Sequence, residues 1–263
     1  MSRITDAIRA ANAAGRPALA AFLTAGFPHP ETFADLLRAV AGEADLIEIG
    51  VPFSDPMADG LTIQRSSRAA LASGVTLDGI LEGLPSAGAL RTPLLLMSYL
   101  NPILALGVKS VLARAARSGV SGLIVPDLPF EECAPVREAC DETGLDLVQL
   151  VTPVTPPERL GRLCRASRGF VYAVTMTGTT GGSIGGRNGG PGGVSEGTLV
   201  YLDRVREVSP VPVLAGFGVR EPRDVRAIAA RAHGAIVGSA LVEAIERGAD
   251  PVSFLQELKG GVR

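Results

Sequence analysis

Short apolar runs alternate with amphipathic ones from one end of the chain to the other, and this alternation limits the fold more than any other feature. The β-like runs cover 19–24, 45–50, 92–97, 122–125, 146–151, 170–175, 211–215 and 235–238. Between them, apolar residues recur at helical spacing over 30–41, 62–72, 108–118, 131–143, 157–166, 222–231 and 241–247. Strands apolar on both sides need cover on both faces, which a parallel sheet wrapped in helices provides. Eight such units predict a single α/β domain over 1–263 that closes into a (β/α)8 TIM barrel. The stretch 2–14 reads as an extra N-terminal helix across the base. An open doubly wound sheet is the alternative, and no linker-like composition divides the chain.

Composition removes several classes of function. Hydrophobic residues make up 46% and charged residues 20%, which suits a large core and argues against global disorder. The net charge of −2 is spread along the chain and leaves no basic footprint for nucleic acid or an anionic membrane surface. No apolar run approaches the roughly 20 residues that span a bilayer. The first residues lack the apolar core of a signal peptide, so a cytoplasmic location is expected. Cys133, Cys140 and Cys164 are scattered and odd in number, as expected of reduced thiols. His29 and His233 lack metal-ligand spacing. Lys109 and Lys259, the only lysines, fall on helical stretches and neither is set for a Schiff base.

One strand-like run carries a charge within it. Side chains alternate along a strand, so if Ile47 and Ile49 face the helices, then Leu46, Glu48 and Gly50 point into the barrel. Burial there raises a carboxyl pKa and suits it to give and take protons near neutrality. A structural carboxylate paired with an internal base is the other reading, but no inward strand position is basic. Asp55 and Asp59 follow in a proline-pinned loop, on the side where barrels assemble their active sites. Asp59-Gly60 also fits the cap of the helix that follows.

The last two units carry a phosphate signal. Gly216-Phe217-Gly218 follows the seventh run, and Gly238-Ser239 follows the eighth and opens a helix. Such glycines let backbone amides approach an anion, and a helix N-terminus adds free N–H donors and a favourable dipole. Gly181 can add a third amide. It lies in 178–193, where nine of sixteen residues are glycine. That segment reads either as a surface linker or as an active-site lid after the sixth strand. Together these features predict a barrel enzyme for a phosphorylated small molecule, working by carboxylate acid/base chemistry without metal or lysine.

Several stretches resemble one family. LIEIGVPFSDPMADGLTIQ at 46–64 closely resembles the signature of the tryptophan synthase alpha subunits. The similarity continues through FLTAGFP at 22–28, NPIL at 101–104, IVPDLPFEE at 124–132, VYAVTMTGTTG at 171–181, AGFG at 215–218 and GAIVGSA at 234–240. The resemblance implies a lyase that cleaves indole-3-glycerol phosphate to indole and glyceraldehyde 3-phosphate, with no cofactor of its own. It implies Glu48 as the general acid/base, Asp59 as the carboxylate facing the indole nitrogen and Tyr172 as a positioning group. Phe22, Leu96, Ile124, Leu150 and Phe217 would wall the indole ring. Gly181, Gly218, Gly238 and Ser239 would hold the phosphate, and Thr180 would close with the lid.

The resemblance further implies a pyridoxal phosphate-bearing beta subunit, an alpha-beta-beta-alpha heterotetramer, and a docking face around Pro52, Asp55, Asn101 and Pro102. Three departures stand out: Leu61 where the family commonly has proline, Met176 in place of an arginine found in some members, and the glycine-dense lid. A stand-alone indole-releasing lyase and a sugar-phosphate isomerase or epimerase remain as alternatives. A non-catalytic regulatory barrel would have little reason to keep Glu48 in an apolar strand.

Overall fold

The structure is a computed structural model that describes residues 2–175, 195–216 and 218–260. The lid segment 178–193, with Thr180 and Gly181, lies outside the described residues, as do Met176 and Phe217. Eight strands pair in parallel in chain order: β1 (Ala18–Thr24), β2 (Leu46–Gly50), β3 (Leu94–Met97), β4 (Val120–Ile124), β5 (Asp146–Val151), β6 (Val171–Val174), β7 (Val213–Gly216) and β8 (Gly234–Val237). β8 returns to β1, with Ala18 opposite Gly234, so the sheet is a closed barrel and not an open one.

Twelve α-helices are present among the described residues. They are α1 (Arg3–Ala13), α2 (Phe33–Ala41), α3 (Leu61–Ala72), α4 (Leu77–Gly83), α5 (Leu100–Leu106), α6 (Val108–Arg117), α7 (Ala134–Thr143), α8 (Pro157–Ala166), α9 (Glu196–Val208), α10 (Pro222–Ala229), α11 (Ser239–Glu246) and α12 (Pro251–Gly260). Three of them, α4, α5 and α9, fall where the sequence suggested none. Two reasons are local. Glycines at 79 and 83 dilute the apolar stripe of α4, and Pro102 sits in the first turn of α5, where a helix tolerates it.

The strands divide their side chains between two cores. Leu19, Ala21, Leu23, Ile47, Ile49, Leu94 and Leu96 face outward and pack under the helices. Ala18, Ala20, Leu46, Leu95, Ile124, Val148, Tyr172, Leu214 and Ile236 face inward and fill the barrel.

The base of that interior is closed by α1, as the sequence suggested. Ser2 caps the helix, accepting from the Thr5 N–H. Ile4, Ile8 and Ala11 enter the inner core with Phe170. Polar contacts tie α1 to segments that lead into the strands. Thr5 Oγ1 donates to the Gly169 carbonyl at 2.6 Å, and Asn12 Nδ2 donates to that of His233 at 2.8 Å. Ser2 donates to Asp146, and Arg3 reaches the carbonyls of Leu90 and Arg91. The helix thus holds the approaches to β3, β5, β6 and β8 at once.

Ile4 is fully buried, so Ile4→Ala removes packing that nothing else can replace. The variant should unfold in urea with a loss of about 2–4 kcal/mol. A loss below about 1 kcal/mol would mean that α1 only covers the base without supporting it.

Candidate active site

β2 delivers the central carboxylate. Glu48 lies opposite Phe22 of β1 and Leu95 of β3. It is fully buried, and neither carboxylate oxygen has a hydrogen-bond partner among the described residues. Desolvation therefore disfavours the ion and pushes its pKa up to about 8. Across the mouth, Tyr172 of β6 is also buried. Burial, then the charges of Glu48 and Asp59, hold its hydroxyl proton more tightly than usual.

Two glycines make room for these rings. A Cβ at Gly50 would lie 2.3 Å from the Phe22 ring, and one at Gly216 would lie 2.5 Å from the Tyr172 hydroxyl. The strand ends are narrow because aromatic side chains lean across them.

The loop from Val51 to Gly60 wraps around Tyr99, which follows β3. Phe53 stacks on the Tyr99 ring with centroids 4.9 Å apart. The Tyr99 hydroxyl accepts the Ala58 N–H at 2.8 Å and hydrogen-bonds the Asp59 carboxylate. Asp59 is half-buried at the mouth. Burial raises its pKa to about 6, with the Tyr99 hydrogen bond pulling the other way. A small cavity lies between Asp59, Tyr99, Phe22, Gly50 and Met97. Two carboxylates thus serve one mouth, the more deeply buried holding its proton to higher pH.

The opposite rim is formed by the chain after β7 and the start of α11. α11 opens at Ser239, and its N-cap, Gly238, supplies no side-chain cap. The first amides of the helix therefore lack intrahelical acceptors and a side-chain cap. Gly218 adopts φ 94°, which turns the chain after β7 beside this helix end. Phe22 lies beneath, its Cβ 3.6 Å from where a Gly238 side chain would begin.

The structure brings Glu48, Asp59, Tyr172, Phe22, Ile124, Leu150, Gly218, Gly238 and Ser239 to the inner face or the mouth of the barrel. It corrects three readings. Leu96 pairs with Ile49 and packs in the outer core, so it cannot wall a ligand inside the barrel. A one-residue step along a strand reverses the face, and Met97 is the residue that lines the cavity. Pro52 is buried, so it stiffens the loop from within and offers no docking surface, whereas Asp55 and Asn101 are exposed and Pro102 half-exposed. The cap of α3 is Gly60 and has no side-chain bond, so Asp59 is not a helix cap.

Tyr99 was missed in the sequence. Its signal was an aromatic residue placed two positions beyond the end of β3. Cys133, Cys140 and Cys164 are free and buried. No group of three or more His, Cys, Asp or Glu side chains gathers as a metal site among the described residues.

Comparison with known proteins points one way. The family model described as tryptophan synthase alpha chain matches residues 8–260. A tryptophan synthase alpha chain of Nitratidesulfovibrio vulgaris is 44% identical over 97% of this chain and 97% of its own length. One from a Roseiflexus species is 41% identical over 99% of this chain and the whole of its own. The solved tryptophan synthase of Mycobacterium tuberculosis superposes with a TM-score of 0.90, at 36% identity over 100% of this chain and 98% of the other.

The burial of Glu48 has a measurable cost. Its folded pKa of about 8 lies above the ordinary 4.5, so the folded state binds more protons between those values. Stability from this group is complete below about 4.5 and is lost as pH rises toward about 8. Glu48→Gln escapes that loss. It should be more stable than the natural protein by about 1–3 kcal/mol at pH 8, with the gap closing at pH 5. Thermal melts at the two pH values check this, and a gap independent of pH would refute it.

Proposed function

The chain belongs to the tryptophan synthase alpha chain family, a family of lyases that cleave indole-3-glycerol phosphate, and we propose that the residues gathered at the barrel mouth carry out that cleavage here. The observation that carries this reading is Glu48, a carboxylate with no hydrogen-bond partner among the described residues, held protonated near neutrality inside the barrel.

Protonated Glu48 donates to indole C3, and positive charge develops at the ring nitrogen. Ionised Asp59 faces that nitrogen and stabilises the charge as it forms. The Glu48 carboxylate then takes the proton of the hydroxyl next to the scissile bond. The carbon–carbon bond breaks, its electrons return to the indole ring, and an aldehyde forms on the glycerol phosphate fragment. Glu48 ends protonated, ready for the next cycle. Tyr172 confines the Glu48 side chain from across the barrel. Phe22, Met97, Ile124 and Leu150 flank the indole, and Tyr99 keeps Asp59 in register. Gly218, Gly238 and Ser239 receive the phosphate through backbone amides and the Ser239 hydroxyl.

Family membership implies a beta-subunit partner. An alpha-beta-beta-alpha heterotetramer, with pyridoxal phosphate on beta and no cofactor on this chain, is the assembly that we infer. Docking falls on the exposed end of the 51–61 loop and the start of α5. Asp55 and Asn101 are exposed there, and so are the apolar side chains of Met57, Leu61 and Leu104. Leu61 occupies the first position of α3, where proline would also fit. No described helix is long and apolar enough to cross a membrane, which is compatible with the proposed cytoplasmic location.

Purified protein should release indole from indole-3-glycerol phosphate, faster with a tryptophan synthase beta subunit present. Glu48→Gln should slow the release by at least about 10²-fold. A near-normal rate in that variant would remove Glu48 from the mechanism, and turnover indifferent to beta would favour a stand-alone lyase. The profile of kcat/KM against pH should be bell-shaped. Activity rises as Asp59 ionises near pH 6 and falls as Glu48 loses its proton near pH 8. A profile flat from about pH 5 to 9 would count against both assignments.

A further inference from the structure

α3 leaves the Asp59 loop and α11 starts at the anion-binding rim, and the two helices pack side by side. Between them stands Glu243. Its Oε1 accepts from Thr62 Oγ1 at 2.7 Å. Arg220 reaches the same carboxylate with both guanidinium nitrogens, Nη1 to Oε2 at 2.9 Å and Nη2 to Oε1 at 3.1 Å. Thr62 follows Asp59 by three residues, Arg220 follows Gly218 by two, and Glu243 lies one turn into α11 from Ser239. One side chain therefore bonds to the catalytic loop's helix and to the β7 loop, and is itself carried on the helix whose end faces the phosphate.

The geometry suits a brace. Thr62 is buried, and only 20% of the Glu243 side chain is exposed. The hydrogen bonds from Arg220 hold its carboxyl below the usual range against the opposing effect of burial, with Thr62 adding a smaller push. The other ties between the two helices reach less far. Arg65 pairs with Glu246 one turn along, but both side chains are well exposed and such pairs contribute little. Ile63 and Val242 share an apolar cluster with Phe22, which holds the helices together without touching Arg220.

We propose that Glu243 is a positioning residue for the cleavage, coupling occupancy of the phosphate site to the placement of Asp59. The proposal rests on the phosphate assignment above. An anion on the Gly238-Ser239 amides fixes the first turn of α11. Glu243 moves with that turn and draws Thr62, the first turn of α3 and the Asp59 loop into their working positions. By reciprocity, an ordered Asp59 loop strengthens phosphate binding to the same degree. A substrate lacking the phosphate would meet a looser loop, so the brace rewards the phosphorylated substrate in rate as well as in binding.

The Ala58 amide, bonded to Tyr99 inside that loop, is the reporter. Inorganic phosphate added to the full chain should slow its hydrogen exchange about fivefold. Glu243→Ala and the near-isosteric Thr62→Val should still bind phosphate, at most about fivefold more weakly than the natural protein, yet lose that slowing. Their kcat should fall about tenfold with KM within about threefold, as expected of a displaced catalytic group. Glu243→Gln keeps an oxygen for Thr62 and should recover most of the rate.

Equal slowing by phosphate in all variants, or a loss confined to melting temperature, would overturn the coupling while leaving the phosphate site standing. Should phosphate fail to bind the natural protein, the site assignment falls and the coupling with it.

Discussion

Each strand of this barrel is covered on both faces, by helices outside and by other strands' side chains inside. Alternation along a strand therefore has no neutral outcome: a residue belongs to one core or to the other. The inner space is narrow, so whatever points inward is desolvated. That constraint keeps the Glu48 carboxyl protonated to a higher pH than usual, since no described side chain bonds its oxygens. The same constraint explains why Gly50 and Gly216 stand at the strand ends, where Phe22 and Tyr172 lean across the mouth.

The site divides its work between a rigid floor and a wrapped loop. Glu48, Phe22 and Tyr172 stand on strands, so their positions follow from the pairing register. Asp59 stands on a loop and takes its position from Tyr99 and from the start of α3. The two carboxylates differ in burial and so in pKa, which leaves Asp59 ionised and Glu48 protonated between about pH 6 and pH 8. The polar contacts around Thr62, Arg220 and Glu243 tie the helix that follows this loop to the chain after β7.

The count of eight strand–helix units led to the closed barrel and the base helix, and strand alternation to the inward direction of Glu48, because each follows from local pattern. The resemblance failed for Leu96, which packs in the outer core while Met97 lines the cavity instead. Asp59 looked like a helix cap because the local pattern fits one. Its actual partner, Tyr99, lies forty residues away in the chain and is joined to it only by the fold. Glu243 was invisible for a related reason. A glutamate on an amphipathic helix reads as solvated, and its contacts to Thr62 and Arg220 depend on how three separate loops meet at the rim. Pro52 looked like surface and is buried, since the loop folds over it.

The first helix and the last strand share a seam. Asn12 of α1 is bonded to the His233 carbonyl, and β1 completes its pairing only with β8. As the chain leaves the ribosome, its first strand therefore waits with one edge open until more than 230 residues have been made. The apolar interior under α1 cannot be sealed before then. Closure is a late, long-range event, and such events are slow and leave apolar surface uncovered meanwhile. The geometry that protects the finished barrel so well makes its birth the most vulnerable moment, when a chaperone's hold on the amino-terminal half would matter most.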